Sequence, residues 1–181
     1  MGGYMFQREM FSDGSFKDAK YIASGCFGSV YTHPEHRDWV IKYGNADGTL
    51  NYLEWCKAMQ AAGKGMKGMP EIDILTHMGF NGYMVTMRRY EDARMMVNKA
   101  IGEYSSVEEL YSEHGHDYLG ELVEAFDEYC SDVLVRVTGW SMVNDLHRAN
   151  IMWDARKSEF VITDPSCSDY CRTNTVEFNL H

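Results

Sequence analysis

The sequence predicts an α+β domain, in which a strand-rich N-terminal half containing one helix is followed by a helical half that ends in a β-hairpin. Short β-branched and aromatic runs surround glycines across residues 20–41, a pattern typical of an antiparallel meander. The pair Asn81-Gly82, with alternating apolar residues on both sides, predicts a tight hairpin. Apolar residues across about 118–137 recur at the helical period of about 3.6 residues.

Length and composition fit one soluble domain. The chain has 181 residues, of which 45% are hydrophobic, and this suffices for a core within a single domain. No window approaches the roughly 18 uninterrupted apolar residues of a membrane span. The net charge of -10 disfavours direct binding to nucleic acid. Five cysteines argue against a disulfide framework, because the number is odd, and favour the reducing cytoplasm.

The elements of the N-terminal half follow from local signals. The meander of residues 20–41 contains a His-Pro turn before its third apolar run. A turn is predicted over 45–48, and a helix follows it until Gly63. The residues that indicate this helix by their spacing are Leu50, Leu53, Cys56, Lys57, Met59 and Gln60. The hairpin around Asn81-Gly82 completes the half.

The second half is predicted to be helical and to close with two strands. Ser106 resembles the start of a capping box that opens a short helix. A longer helix runs from about Tyr118 to Val137, and its apolar face comprises Leu119, Leu122, Val123, Phe126, Cys130, Val133, Leu134 and Val137. The runs NIMW and FVITD, separated by the charged segment DARKSE, predict the closing hairpin.

A glycine-rich segment and one lysine suggest a phosphate site. The segment contains Ala23, Ser24, Gly25, Cys26, Phe27, Gly28 and Val30, and glycines let backbone amides approach phosphate oxygens. Lys42 ends the next apolar run, from which an ammonium group could reach the phosphates. A simple turn and a solvated lysine at a strand end are the alternative interpretations.

Three polar residues surround the closing hairpin. Asp145 is followed five positions later by Asn150, which enters an apolar strand directly, and Asp164 ends the second strand. This is the spacing of a loop in which Asp145 accepts a hydroxyl proton while Asn150 and Asp164 hold a magnesium ion. A polar loop with ordinary Asx turns is the alternative.

The segments SGCFGSVY, VIK, DLHRANIMW and VITD resemble, in order and spacing, those of protein-kinase-like phosphotransferases. The amino-acid sequences of these segments most resemble those of the early Ser/Thr protein kinases of short-tailed T-odd bacteriophages. The resemblance implies a small antiparallel-sheet N-lobe with one helix (about 15–87), a hinge (about 88–92) and a truncated helical C-lobe with the catalytic-loop hairpin (about 93–181). It also implies ATP and Mg as cofactors.

The resemblance assigns further roles to single residues. Glu54 would pair with Lys42, with Glu71 as the alternative. Met87 would lie near the gatekeeper position, and adenine would be contacted by the backbone of Arg88, Arg89 and Tyr90. His147 would face the transferring phosphoryl group, as in aminoglycoside and other small-molecule kinases, whose loops the DLHxxN form also resembles.

Some features depart from the kinase pattern. The loop reads Val143-Asn144-Asp145, so no arginine precedes the base, and control by a phosphorylated activation loop is not expected. Asp164 is followed by Pro165-Ser166, where protein kinases have Phe-Gly after the corresponding aspartate. Seventeen residues follow Asp164, so the usual activation segment and most of the peptide-binding platform are expected to be absent.

Three functions remain open at this point. The first is a Ser/Thr protein kinase that modifies host proteins, including transcription or RNA-processing machinery, or itself during host takeover. The second is a small-molecule kinase. The third is a pseudokinase-like protein that inhibits a host partner without turnover. We expect a cytoplasmic protein that binds neither membranes nor nucleic acid directly.

Overall fold

A computed structural model describes residues 18–25, 28–45, 47–78, 82–93, 116–131, 142–144 and 150–168. Within these ranges no helix is long and apolar enough to cross a membrane.

The N-terminal half forms an antiparallel sheet of five strands in the order β1-β2-β3-β5-β4. Its strands are β1 (Tyr21–Gly25), β2 (Gly28–Thr32), β3 (Trp39–Gly44), β4 (Ile72–His77) and β5 (Tyr83–Arg88). The first three strands are the predicted meander, and each pairs with its neighbour in sequence. The last two strands form the hairpin predicted from Asn81-Gly82, with His77 opposite Tyr83.

Helix α1 (Asp47–Ala61) connects β3 to β4. Its buried face contains Leu50, Tyr52, Leu53 and Cys56. The helix ends before Gly63, whose φ of +70° is easily adopted only without a Cβ. The helix begins at Asp47, so residues 47 and 48 of the turn predicted over 45–48 are helical instead. Burial of residues 48–50 outweighs local turn propensity here.

The described part of the second half contains one helix and five short strands in two small sheets. Helix α2 (Asp117–Tyr129) buries Leu119, Leu122 and Phe126 as predicted. The strands are β6 (Glu91–Asp92), β7 (Met142–Asn144), β8 (Ile151–Asp154), β9 (Glu159–Ile162) and β10 (Ser166–Ser168). Strands β8 and β9 form the predicted closing hairpin, β6 pairs with β8, and β10 pairs with β7. The proposed helix near Ser106 and the segment 132–137 lie outside the described residues.

One core joins the two halves. Tyr52 and Trp55 of α1 pack their rings against Phe126 of α2, with centroids 5.0 and 5.2 Å apart. Val85 of β5 and Ile162 of β9 belong to the same buried cluster. The predicted α+β class, with a small antiparallel sheet and one helix on it, is confirmed.

Candidate functional site

Two residues from opposite ends of the described chain meet between the halves. The Lys42 ammonium of β3 donates to Oδ2 of Asp164, which follows β9, at a distance of 3.4 Å. The side chains are 16% and 25% exposed, respectively, so the pair remains partly open to solvent. The structure therefore brings together the lysine and one of the metal-binding candidates of the sequence analysis.

The Lys42 ammonium keeps its charge although it is largely buried. Burial disfavours the charged form, but the Asp164 carboxylate, through its charge and hydrogen bond, and the Tyr83 hydroxyl raise the pKa of Lys42 above its usual value. A permanent cation at this position can bind phosphate oxygens.

Thr49 and Tyr83 complete the cluster, and neither was predicted. The Thr49 hydroxyl donates to Oδ1 of Asp164 at 2.5 Å, so both carboxylate oxygens are engaged. The Tyr83 hydroxyl lies near Thr49 and Lys42, and burial raises the pKa of Tyr83 although both neighbours lower it. The Tyr83 ring lies directly on Gly44, because a Cβ added at Gly44 would overlap the ring.

A signal for Thr49 was present in the sequence. It lies three positions before Tyr52 and four before Leu53, and these spacings place all three on one helix face. A hydroxyl on an otherwise apolar, buried face needs a partner. The identity of that partner depends on tertiary structure and could not be predicted from the sequence.

Asn150 and Asp164 lie at the same end of the closing hairpin. Ile151 pairs with Ile162 in the ladder, and the Thr163 amide donates to the Asn150 carbonyl oxygen at 2.9 Å. Asn150 therefore stands opposite Thr163, one residue before Asp164. This is the backbone arrangement that the predicted pair of magnesium ligands requires.

Asp145 and His147 lie outside the described residues. Both ends of the segment that contains them are fixed next to Asp164. On one side Asn144 pairs with Ser166, and on the other Asn150 bonds Thr163. Residues 144 and 150, which flank the segment, thus pair with residues 166 and 163, on either side of Asp164 in the sequence.

The glycine-rich segment is the hairpin between β1 and β2, in which Ala23 pairs with Val30, Ser24 with Ser29 and Gly25 with Gly28. Cys26 and Phe27 are outside the described residues. Val30 is also paired with Lys42, so the hairpin runs beside the strand that carries the ammonium. Gly28 has a packing role as well, because a Cβ there would overlap the Tyr43 carbonyl oxygen of β3.

The predicted pair of Glu54 with Lys42 is not formed. Glu54 lies 2.6 Å from Nε2 of His77, on the strand beside the helix. The alternative, Glu71, forms ion pairs with two arginine side chains. Lys42 instead pairs with Asp164, because the cluster at the start of α1 brings Asp164 close to it.

Two of the backbone amides in the segment predicted to contact adenine have partners within the protein. The amide of Arg88 donates to the Glu71 carbonyl oxygen at 2.9 Å, and the amide of Arg89 donates to the Asp38 carbonyl oxygen at 2.8 Å. The end of β5 therefore lies between the residue before β4 and the residue before β3, and both amides already have acceptors within the protein. Adenine contacts through the carbonyl groups of this segment or the Tyr90 amide stay a prediction.

The connection between the two sheets lies just after these residues. Met87 is buried in β5, opposite Val40 and Ile72. The Tyr90 hydroxyl accepts a hydrogen bond from the Glu71 amide at 2.7 Å. Strand β6 then joins the sheet of the closing hairpin. The link between the sheets is thus the pair Arg89–Tyr90.

The residues present fit a nucleotide phosphate with magnesium. Magnesium prefers oxygen ligands and takes one or two protein carboxylates together with substrate phosphates. Asp164 and Asn150 supply a carboxylate and an amide oxygen of this kind, and Lys42 supplies a cation for phosphate. Among the described residues, no three His, Cys, Asp or Glu side chains gather as ligands of a metal ion. A carboxylate, an amide oxygen and an ammonium group are nevertheless groups that could hold a magnesium ion together with a phosphate.

Comparisons with known proteins add a distant likeness. No family model matches the sequence, and a search of curated proteins finds no match. Among solved structures, the chain is similar to an aminoglycoside phosphotransferase from Streptomyces rimosus, with 13% identity and a TM-score of 0.42. The match covers 93% of this chain and 78% of the other. A likeness at this level does not define the activity or the acceptor of this chain.

Proposed function

We propose that this protein is an ATP- and magnesium-dependent phosphotransferase that phosphorylates Ser or Thr hydroxyl groups of proteins. The observation that supports it is the contact of Lys42 with Asp164 at 3.4 Å, beside the hairpin end that carries Asn150. A lysine on the five-stranded sheet and two oxygen ligands at one end of a hairpin are parts that phosphoryl transfer requires.

Each residue has a separate task in this proposal. Lys42 binds phosphate oxygens, and Asp164 and Asn150 hold the magnesium ion, which neutralises negative charge on the phosphates. Asp145 accepts the proton of the acceptor hydroxyl. The bond between the γ-phosphorus and the ADP oxygen breaks while a bond from phosphorus to the hydroxyl oxygen forms.

The acceptor is the finer part of the proposal. The segments around Asp145 resemble phage Ser/Thr kinases, which favours a host protein or the chain itself as acceptor. The loop DLHRAN, with His147 at the position used by small-molecule kinases, favours a small hydroxyl compound as the second candidate. The two differ in where the transferred phosphate is found.

The first test follows labelled γ-phosphate from ATP, with magnesium, in the presence and absence of a bacterial lysate. We expect label on Ser or Thr of protein, and loss of at least about a hundredfold in Asp164→Asn and Asp145→Asn. Asp73→Asn is the matched control, because Asp73 is an exposed carboxylate on β4.

The outcomes separate the candidate functions. Label on a small molecule would move the assignment to a small-molecule kinase. No label from the wild-type chain, together with a retained protein partner in both variants, would contradict catalysis and favour a binding protein. Full activity in Asp164→Asn would contradict the proposed site.

A further inference from the structure

Helix α1 reaches the candidate metal ligand through Thr49. The Thr49 side chain is only 1% exposed, and its hydroxyl donates to Oδ1 of Asp164. The other oxygen, Oδ2, faces Lys42. The orientation of this carboxylate is therefore fixed from two elements, the strand β3 and the first turn of the helix.

The same helix face also forms a hydrogen bond with the backbone just before Asp164. The Tyr52 hydroxyl, one turn after Thr49, donates to the Ile162 carbonyl oxygen at 3.1 Å in a buried setting. Two successive turns of the helix thus bond two positions at the end of β9. A shift of α1 along its axis would break both bonds, so the position of the helix and the orientation of the carboxylate depend on each other.

We propose that Thr49 is a positioning residue, whose hydrogen bond orients Asp164 and thereby couples the placement of helix α1 to metal binding. This inference rests on the proposed function. A carboxylate that follows the end of a strand has several rotamers, and a bond from a buried hydroxyl selects one of them. Some residues hold a metal ligand without touching the metal. Their removal typically weakens metal affinity roughly 10- to 100-fold.

Thr49 takes the place that the sequence analysis gave to Glu54. The link from helix to site was expected to run through Glu54 and Lys42, yet Glu54 pairs with His77. Thr49 instead bonds the carboxylate itself. The structure therefore connects the helix to the metal ligand and not to the lysine.

The binding test compares ATP affinity with magnesium and with EDTA. Thr49→Val keeps the volume and removes the hydroxyl, and we expect it to weaken magnesium-dependent ATP binding about tenfold, since a hydrogen bond to a charged group is lost. Binding in EDTA should stay unchanged. Thr49→Ser restores the hydroxyl and should bind like the wild type.

Thr86→Val is the matched control. Thr86 is also buried, at 3% exposure, but it pairs with Ile41 while Lys42 pairs with Val85, which places it on the opposite face of the sheet from Lys42. A purely structural loss would weaken binding in EDTA too, or would appear equally in Thr86→Val. Either result would overturn the proposal.

A second measurement does not depend on nucleotide. In a double-mutant cycle of Thr49→Val and Asp164→Ala, followed by urea unfolding, the double variant should lose less stability than the two single losses added. Strict additivity would overturn the proposal, whatever the activity. If the wild-type chain binds no ATP but the cycle shows coupling, the contact stands and the proposed function alone fails.

Discussion

The charge of Lys42 depends on the carboxylate that faces it. Its pKa is raised because Asp164 and Tyr83 outweigh the opposing effect of burial. A raised pKa means that the pair stabilises the fold fully below the unfolded lysine value of about 10.4 and loses this effect as pH rises through the folded value. Lys42 is therefore a cation throughout the neutral range.

Lys42→Met tests the role of this cation. It removes the charge and keeps much of the apolar stem, and we expect phosphate transfer to fall by about a hundredfold or more, since a charged donor to the phosphates is lost. Lys57→Met is the control, because Lys57 donates to the Asp73 carbonyl oxygen at 2.7 Å and touches no site residue. Equal activity of the two variants would contradict the assignment.

Strand β3 ends with a glycine for a packing reason. The Tyr83 ring occupies the space that a Cβ at Gly44 would need, and this close approach brings the Tyr83 hydroxyl to Lys42 and Thr49. The shape of the strand end therefore lets the Tyr83 side chain lie beside the cluster. Gly44 thus leaves the space that the aromatic ring of Tyr83 occupies.

Gly44→Ala should destabilise the fold by about 1–3 kcal/mol, because the new methyl group displaces a buried ring. The measurement is urea unfolding. Gly65→Ala is the matched control, since its nearest neighbour would be Cγ of Gln60 at 3.6 Å, an ordinary contact. An equally stable Gly44→Ala variant would show that Tyr83 does not need this position.

Local patterns predicted the larger elements and missed the smallest. The meander, α1, the Asn-Gly hairpin and the closing hairpin have periodic or turn signals within a few residues. Strands β6, β7 and β10 have only two or three residues, which is too short for any periodicity. They pair only because the tertiary fold brings partners alongside, so sequence reasoning could not find them.

The candidate site was predicted in part for the same reason. Lys42, Asn150 and Asp164 follow from spacing along the chain, because each lies next to a recognisable strand. Side-chain partners depend on distances across the fold instead. Glu54 and Thr49 lie five residues apart on α1, which places them about 140° apart around the helix axis. The orientation of the helix, which tertiary packing sets, therefore decides which of them faces the site.

An ion network on the other side of the fold ties the two halves together. Glu71 accepts hydrogen bonds from Arg88 of β5 at 3.3 Å and from Arg156 of the closing hairpin at 3.0 Å. Arg156 also donates to Asp154 at 2.9 Å. Burial disfavours the Glu71 carboxylate, but the hydrogen bond and charge of Arg156 and the charge of Arg88 lower the pKa of Glu71 overall.

This network predicts a pH-dependent stability. A lowered pKa means that Glu71 stabilises the fold above its unfolded value of about 4.3 and loses this effect as pH falls through the folded value. We expect Glu71→Gln to be less stable than the wild type by about 0.5 kcal/mol at pH 7, a modest amount because Glu71 is 37% exposed. The difference should shrink as the pH is lowered from 7 toward 3, because protonation of Glu71 removes its charge.

Urea unfolding of both proteins across this pH range provides the measurement. Glu121→Gln is the control, since Glu121 is an exposed residue on α2. A stability difference for Glu71→Gln that is constant between pH 7 and 3 would show that its charge is not what links the two halves.

The contact between Lys42 and Asp164 joins residues 122 positions apart. Closing a loop of that length costs chain entropy, which local strands and helices do not incur. During synthesis on the ribosome, the sheet and α1 can form long before residue 164 exists, whereas the ion pair cannot. A nascent chain therefore acquires the geometry of the candidate site in one late step, and premature termination before the closing hairpin would yield a protein without it.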